Sequence, residues 1–279
     1  LNCGGSATNA LQVTGGETVS VSGFTVRNSS LRGAYITNSS TVDFDDTVFD
    51  QLGSTSYSGN AIYADSSTVS ITDSTFDANT GDDGGAIYLT SSDLTVTDST
   101  FTDNLAYYGG AIYLTTNSTV TDSGSSYEYN YTYYSGGAVH LTSYSDAAFS
   151  SSKFYDNESG SSVGGAIYSY NYTTLDIADT TLEQNTSYSA GGAIYLQQQY
   201  TTASVSGSTF KDNTSRVSAG GAIYAYHNTD LEIDSSDFSG NTASSSGGAI
   251  YSHYYADIDI SDATFSDNTS SSHGGALYA

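Results

Sequence analysis

The chain has 279 residues, of which 30 are acidic and 5 are basic, giving a formal net charge of −25. We therefore expect no nucleic-acid partner and no binding to anionic membrane surfaces, because binding phosphate requires lysine and arginine. No apolar run approaches the roughly 18 residues of a membrane-spanning helix. The polar composition alone would suggest disorder, but the apolar residues recur at fixed spacing, which predicts a folded repeat protein.

Residues 1–58 form the less regular beginning of this repeat. Gln12 and Tyr35 occupy the position that a tyrosine fills in most later copies, and the same opening holds the chain's one cysteine. A single thiol cannot form an internal disulfide. We expect Cys3 to be buried in the first coil rather than paired with another chain.

From residue 59 onward the phrase Gly-Gly-Ala-Ile-Tyr returns, in identical or closely similar form, every 25–29 residues. A fixed period between roughly 20 and 50 residues is the signature of a solenoid. One repeat cannot bury its Ile, Val and Phe side chains by itself, whereas stacked copies can. The tyrosine position of the phrase is filled by Tyr63, Tyr88, Tyr113, His140, Tyr168, Tyr195, Tyr224, Tyr251 and Tyr278.

Each repeat begins with two predicted strands. In the first, the alternation of side chains places Ile112 inside and places Ala111 and Tyr113 outside. The presence of His140 in the tyrosine position also favours an outward direction for that position. The second strand is a short alternating run, such as Leu-Asp-Ile at 175–177, which is typical of a half-buried strand.

The third part of the repeat starts with Phe, Tyr or Leu and has Asn three residues later. We expect this asparagine to turn a sharp corner in the left-handed backbone region, and stacked asparagines to hydrogen-bond along the axis. The segment that follows varies in length, which predicts a solvated loop. The predicted ladder consists of Asn79, Asn104, Asn130, Asn157, Asn185, Asn213, Asn241 and Asn268.

The pairing of Gly-Gly-Ala-Ile with Phe-x-x-Asn resembles the repeat of chlamydial-type polymorphic outer membrane proteins, over roughly residues 59–279. That family consists of large secreted or surface proteins, many of them autotransporters, and the resemblance implies a right-handed parallel β-helix that serves in adhesion. The opening, from Cys3 to Phe24, resembles the first coils of pectate-lyase-like β-helices. We predict an all-β fold in which residues 1–279 form one continuous right-handed parallel β-helix, a solenoid of about eleven coils, with 1–58 less regular than 59–279.

The residues do not indicate an enzyme, although the pectate-lyase-like class includes enzymes. Cleavage of acidic sugars needs clustered carboxylates beside a basic residue, and no such grouping stands out. The EF-hand spacing and the Gly-Gly-x-Gly-x-Asp calcium repeat are absent from the sequence, so we expect no metal and no cofactor. The basic residues are Arg27, Arg32, Lys153, Lys211 and Arg216.

Tyrosine, with 26 residues, is the most unusual candidate for a surface role. Two interpretations of the repeated tyrosine stay open: ladder stacking that stabilises a sheet face, and contact with sugars or with another subunit. For the loop tyrosines within 127–134 we favour contact. The predicted contact residues are Tyr88, Tyr113, Tyr129, Tyr131, Tyr133, Tyr134, Tyr168, Tyr195, Tyr224 and Tyr251.

Three Asn-x-Ser/Thr asparagines, Asn38, Asn117 and Asn171, fall between the first two strands and are predicted to be exposed and to carry glycan if the source glycosylates. For the whole chain we expect a non-catalytic extracellular or cell-surface protein, a structural fibre segment or an adhesin stalk. Its expected partners are other copies of itself, assembled end to end or laterally, or glycans of a host or cell surface. The alternative is a carbohydrate-binding or carbohydrate-cleaving β-helix.

Overall fold

The computed structural model describes residues 9–29 and 31–279, and these residues form short strands joined by turns. None of them belongs to a helix long and apolar enough to cross a membrane. The prediction that Cys3 is buried lies outside the described residues.

Strands of successive coils stack into four parallel sheets within the described part of the chain. The first sheet contains Leu11–Thr14, Ala34–Thr37, Ile62–Asp65, Ile87–Thr90, Ile112–Thr115, Val139–Thr142, Ile167–Tyr170, Ile194–Gln197, Ile223–Tyr226, Ile250–His253 and Leu277–Tyr278. The second contains Thr18–Ser22, Thr41–Asp45, Thr68–Thr72, Asp93–Thr97, Thr119–Ser123, Asp146–Ser150, Thr174–Ala178, Thr201–Ser206, Thr229–Asp234 and Asp257–Ser261. The third contains Thr25–Arg27, Val48–Asp50, Thr75–Asp77, Thr100–Thr102, Ser126–Glu128, Lys153–Tyr155, Thr181–Glu183, Thr209–Lys211, Asp237–Ser239 and Thr264–Ser266. The fourth contains Leu105–Tyr108, Tyr131–Ser135, Glu158–Ser159, Thr186–Ser187, Thr214–Ser215, Thr242–Ala243 and Thr269–Ser270.

Equivalent residues of successive coils pair directly across these sheets. In the first sheet Ile87 pairs with Ile112 and Tyr88 pairs with Tyr113, so identical side chains stack in successive coils. The first sheet has eleven strands, which corresponds to about ten turns of a right-handed solenoid. The predicted all-β, right-handed parallel solenoid is therefore confirmed.

The core is a set of columns of apolar side chains inside the coils. One column consists of stacked aromatic rings, with centroids 4.6 Å apart between Phe76 and Phe101 and 4.7 Å apart between Phe210 and Phe238. The prediction that Ala111 points outward is wrong, because this side chain is fully buried. Ala111 lies in the bend before the strand begins at Ile112, where the strict alternation of a strand does not yet apply.

The corner asparagines form a ladder inside the coils, and its geometry differs from the predicted corner. The left-handed backbone conformation falls on the residue before the asparagine, as at Asp156 with φ 50°, and not on the asparagine itself. The Asn157 side chain is instead free to bond to neighbouring coils. Its Nδ2 donates to the Tyr127 carbonyl at 2.8 Å and to Asn185 Oδ1 at 2.9 Å, and its Oδ1 accepts from the backbone N–H of Asn130 at 3.1 Å.

The second glycine of each Gly-Gly pair between residues 84 and 248 lies close to the backbone of the next coil. A Cβ atom built on Gly165 would lie 2.0 Å from the carbonyl oxygen of Gly192 in the next coil, and one on Gly137 would lie 1.9 Å from that of Gly165. Both values are far below any contact that a real side chain makes. The coils can therefore stack at this spacing because these positions have no side chain.

A fourth strand follows the corner asparagine, at the segment whose variable length predicts a solvated loop. In most coils it has only two residues, as in Thr186–Ser187, and its inward residue is small and polar. Ser187 is fully buried, as is Ser215 above it. Two polar residues carry no alternation pattern, which is why the sequence did not reveal this sheet.

A carboxylic acid side chain, that of Asp122, lies in the core. Asp122 occupies the position filled by Val96 in the coil before and by Phe149 in the coil after. Tyr127 donates its hydroxyl hydrogen to Asp122 Oδ2 at 3.2 Å, and the Ser152 hydroxyl donates to the other carboxylate oxygen. Burial raises the pKa of Asp122, while these hydrogen bonds oppose the shift. The carboxylate is thus held by hydroxyl groups.

Candidate functional site

The repeated tyrosines form a column on the outer face of the first sheet, here called the tyrosine stripe (Tyr35, Tyr63, Tyr88, Tyr113, His140, Tyr168, Tyr195, Tyr224, Tyr251 and Tyr278). Their rings stack on one another, with centroids 5.4 Å apart between Tyr88 and Tyr113 and 4.9 Å apart between Tyr195 and Tyr224. Burial between neighbouring rings raises the pKa of Tyr88 and of Tyr224 to about 12. Most stripe tyrosines are half-buried, so the stripe presents ring edges and hydroxyl groups to solvent and not ring faces.

His140 continues the stripe on the outer face of the first sheet. The expectation that this position is not buried is wrong for His140, because only 6% of its surface is exposed. Its ring lies between Tyr113, at 4.8 Å, and Tyr168, at 4.6 Å, and the edge of Tyr108 covers it at 5.3 Å. Nδ1 lies 3.3 Å from the Ser135 carbonyl oxygen, to which it donates a hydrogen bond as the neutral tautomer. Burial lowers the pKa of His140 to about 4.

The buried neutral imidazole should make the chain sensitive to acid. An unfolded histidine gains its proton near pH 6.5, whereas folded His140 gains it only near pH 4. The contribution of neutral His140 to the free energy of unfolding is therefore fully present above pH 6.5. It falls by about 3 kcal/mol as the pH decreases from 6.5 to 4. We expect His140→Tyr to remove this loss. Urea unfolding of both proteins at neutral pH and below pH 4 measures the difference, and the same pH dependence in both would contradict it.

A second group of tyrosines, here called the tyrosine cluster (Tyr107, Tyr108, Tyr131, Tyr133 and Tyr134), lies on the two longest strands of the fourth sheet. The pairing of these strands shifts register between Ala106 and Tyr108. This irregularity brings Tyr107 within 5.3 Å of Tyr133 and Tyr108 within 5.1 Å of Tyr134, measured between ring centroids. Tyr108, Tyr133 and Tyr134 are exposed. Because Tyr108 also contacts His140, the cluster and the stripe form one continuous aromatic surface.

Of the predicted contact residues, Tyr129 does not join this surface. It lies at the corner before Asn130, with a φ of 57°, and its ring packs edge-on against Tyr155 at 5.5 Å. Tyr129 is close in sequence to Tyr131, Tyr133 and Tyr134, but it lies before the corner at Asn130 and they lie on the strand after it. Tyr195 also departs from the prediction, since it is buried within the stripe.

A column of tyrosines in the turn between the first and second sheets was not among the predicted contact residues. Tyr144, Tyr172 and Tyr200 stack with ring centroids 4.7 Å and 5.1 Å apart. Their equivalence becomes visible only through the register of the second sheet, where Asp146, Thr174 and Thr202 pair in turn. The glycan candidates Asn38, Asn117 and Asn171 lie in the same turns, all at positive φ; the first two are exposed and Asn171 is half-buried. Their glycosylation stays a prediction.

Each described lysine and arginine side chain has a partner. Lys153 contacts Glu128 at 3.1 Å and Lys211 contacts Glu183 at 2.7 Å. The remaining partners are Asp50 for Arg27, Glu158 for Arg216, and the ring of Tyr63 for Arg32. Among residues 9–29 and 31–279, no group of three His, Cys, Asp or Glu side chains is arranged to hold a metal ion.

These features define a right-handed β-helix, and the chain belongs to that family: the model of the right-handed beta helix region matches residues 9–186. The model of the Chlamydia polymorphic membrane protein repeat matches later coils, at residues 179–197, 207–226, 235–253 and 262–279. The predicted family resemblance is thereby confirmed. No curated protein and no solved structure matches the chain.

Proposed function

We propose that this chain is a non-catalytic extracellular β-helix with a structural or adhesive role, a surface fibre segment or an adhesin stalk. The observation that carries the proposal is the continuous aromatic surface formed by the tyrosine stripe and the tyrosine cluster. A contiguous exposed aromatic surface is a common feature of contact sites, since tyrosine offers a large apolar area together with a hydroxyl group.

The repeat type supports a location at the cell surface, because the matching repeats are named for a polymorphic membrane protein. The solenoid supports a role as a spacer, since every coil contacts its neighbours through the same ladders. The net charge of −25 keeps such rods apart except where a specific surface brings them together.

The placement of the basic residues supports a non-catalytic role. Cleavage of an acidic sugar would need a cation beside clustered carboxylates, yet Lys153, Lys211 and the described arginines are engaged elsewhere. Because the stripe rings cover one another's faces, a partner would meet ring edges and hydroxyl groups. Other copies of this chain and surface glycans are both able to use such groups.

The experiment compares two matched single variants of the full chain. Tyr134, 45% exposed, belongs to the tyrosine cluster, and Tyr188, 47% exposed, follows the fourth sheet two coils further on. We expect Tyr134→Ser to weaken binding by about tenfold, whether self-association in sedimentation or binding to immobilised neutral and acidic oligosaccharides is measured. Tyr188→Ser should leave it unchanged. Equal effects of both variants, or no binding by the native chain, would contradict the proposal.

A further inference from the structure

The turn between the first and second sheets contains one column of residues in the left-handed backbone region. Counting two residues back from the paired positions Asp146, Thr174, Thr202, Asp230 and Asp257 gives one residue in each coil. These residues, with φ between 55° and 64°, are Tyr144, Tyr172, Tyr200, Asn228 and Tyr255. The column is therefore a row of tyrosine rings interrupted at one coil by an asparagine.

Tyrosine is an unfavourable residue for this conformation. A bulky side chain at positive φ strains the backbone, whereas asparagine tolerates it. Burial does not compensate the strain here, because Tyr200 is 69% exposed and Tyr255 is 84% exposed. Earlier coils use Ser66, Ser91 and Asn117 at the same place. The later coils thus expose aromatic rings at a turn position that smaller residues occupy in the earlier coils.

The interruption at Asn228 leaves a slot between two rings. Tyr200 and Tyr255 are two coils apart, which is about 9.6 Å at the strand spacing of about 4.8 Å. A flat group in contact with both rings needs about 7–8 Å, twice the usual contact distance. The slot has a volume of about 480 Å³, and its lining includes both tyrosines, Asn228, Asp230 and Asp257.

The charge around the slot is negative and has no cation to balance it. Asp230 and Asp257 pair directly in register, so their carboxylates stand side by side. They also border a groove of about 710 Å³ along the second sheet, whose lining includes Asp176, Glu232 and Asp259. No described lysine or arginine lines either space. A positively charged occupant would satisfy the carboxylates and the ring faces together.

We propose that the slot binds the guanidinium or ammonium group of a basic side chain, and that the ligand is an arginine- or lysine-containing polypeptide segment lying along the acidic groove. The faces of Tyr200 and Tyr255 attract the cation, Asp230 and Asp257 bond to its N–H groups, and the groove accepts the flanking basic residues. This site is independent of the adhesive role proposed for the tyrosine stripe and cluster, because it lies in a different turn and uses none of their residues.

Asn228→Tyr tests the slot without changing the charge of its lining or either of the two rings. Tyrosine occupies the equivalent turn position at Tyr200, and a ring at 228 would fill the space between its neighbours. The probe is a fluorescein-labelled peptide of arginines separated by Gly-Ser pairs, and its anisotropy is measured with the full chain. We expect binding to weaken by at least about tenfold. Asn117→Tyr, the same substitution in the same column outside the slot, should leave binding unchanged. Equal binding by native protein and Asn228→Tyr would overturn the proposal.

A pair of charge variants separates the slot from the general acidity of the chain. Asp230→Asn with Asp257→Asn should weaken peptide binding by at least about tenfold and reduce its salt dependence, whereas Asp43→Asn with Asp45→Asn, the same loss of charge at the other end of the second sheet, should change binding by less than about twofold. Equal losses of peptide affinity in both double variants would show that binding depends only on the overall negative charge, which would overturn the proposal. Tyr134→Ser should not affect this peptide, so the two proposals fail separately.

Discussion

Replacing Gly165 with alanine is expected to lower the free energy of unfolding by more than about 4 kcal/mol. The new Cβ would lie 2.0 Å from the Gly192 carbonyl oxygen and 2.6 Å from the backbone carbon of Thr186. Both obstacles are main-chain atoms held by parallel pairing, so neither can rotate away as a side-chain tip could. Relief would require two coils to separate along the axis, which would break the ladders on every sheet at that level.

Urea unfolding followed by circular dichroism measures this loss, and Gly23→Ala provides the control. Gly23 has a φ of 68° and no atom within 4 Å of its added Cβ, so alanine there meets only backbone strain. That strain should cost about 1–2 kcal/mol. A Gly165→Ala protein as stable as the Gly23→Ala protein would show that coil spacing is more compliant than the close contacts indicate.

Replacing Asn157 with alanine is expected to cost about 3–5 kcal/mol. The side chain accepts from the backbone N–H of Asn130 at 3.1 Å and from Asn130 Nδ2 at 3.0 Å, and it donates to the Tyr127 carbonyl at 2.8 Å. All these groups are buried, so water cannot replace the lost partner. One truncation thus leaves unpaired donors and an unpaired acceptor in the coil below.

Two further variants make this result specific to the ladder. Asn157→Asp keeps the acceptor but loses the donor to Tyr127 and Asn185, so it should also be strongly destabilising. Asn117→Ala removes an exposed asparagine at a φ of 56°, and only the tolerance for that backbone conformation is lost, for about 1 kcal/mol. If thermal and urea unfolding give equal losses for Asn157→Ala and Asn117→Ala, the ladder bonds contribute no net stability.

The sequence was sufficient for the features that repeat in every coil. The spacing from Phe101 to Asn104, and its recurrence, identified the stacked aromatic column and the asparagines beside it. The sequence was insufficient where the conformation or burial of a residue depends on residues of other coils or sheets. The left-handed corner falls on the variable residue before the asparagine, and the asparagine side chain bonds between coils. His140 is covered by Tyr108, which lies at the register shift of the fourth sheet.

The candidate sites were less predictable than the fold because turn lengths differ between coils. Tyr200, Asn228 and Tyr255 are separated by unequal numbers of residues, and only strand register shows that they share one column. Asp122 illustrates a different limit. From sequence, an acidic residue within an alternating run is expected to face solvent. Asp122 is buried instead, and its carboxylate accepts hydrogen bonds from the hydroxyl groups of Tyr127 and of Ser152, the latter in the following coil.

The glycine column has a consequence for how such a molecule changes length. Removing residues 192–220 would place Gly221 against Gly165, Ile223 against Ile167, and Asn241 against Asn185. Each of these residues is identical to the one that it replaces, so the glycine, isoleucine and asparagine ladders would close again across the deletion. Gain or loss of whole units by recombination within the gene would therefore lengthen or shorten the molecule in steps of one strand spacing and keep these ladders continuous.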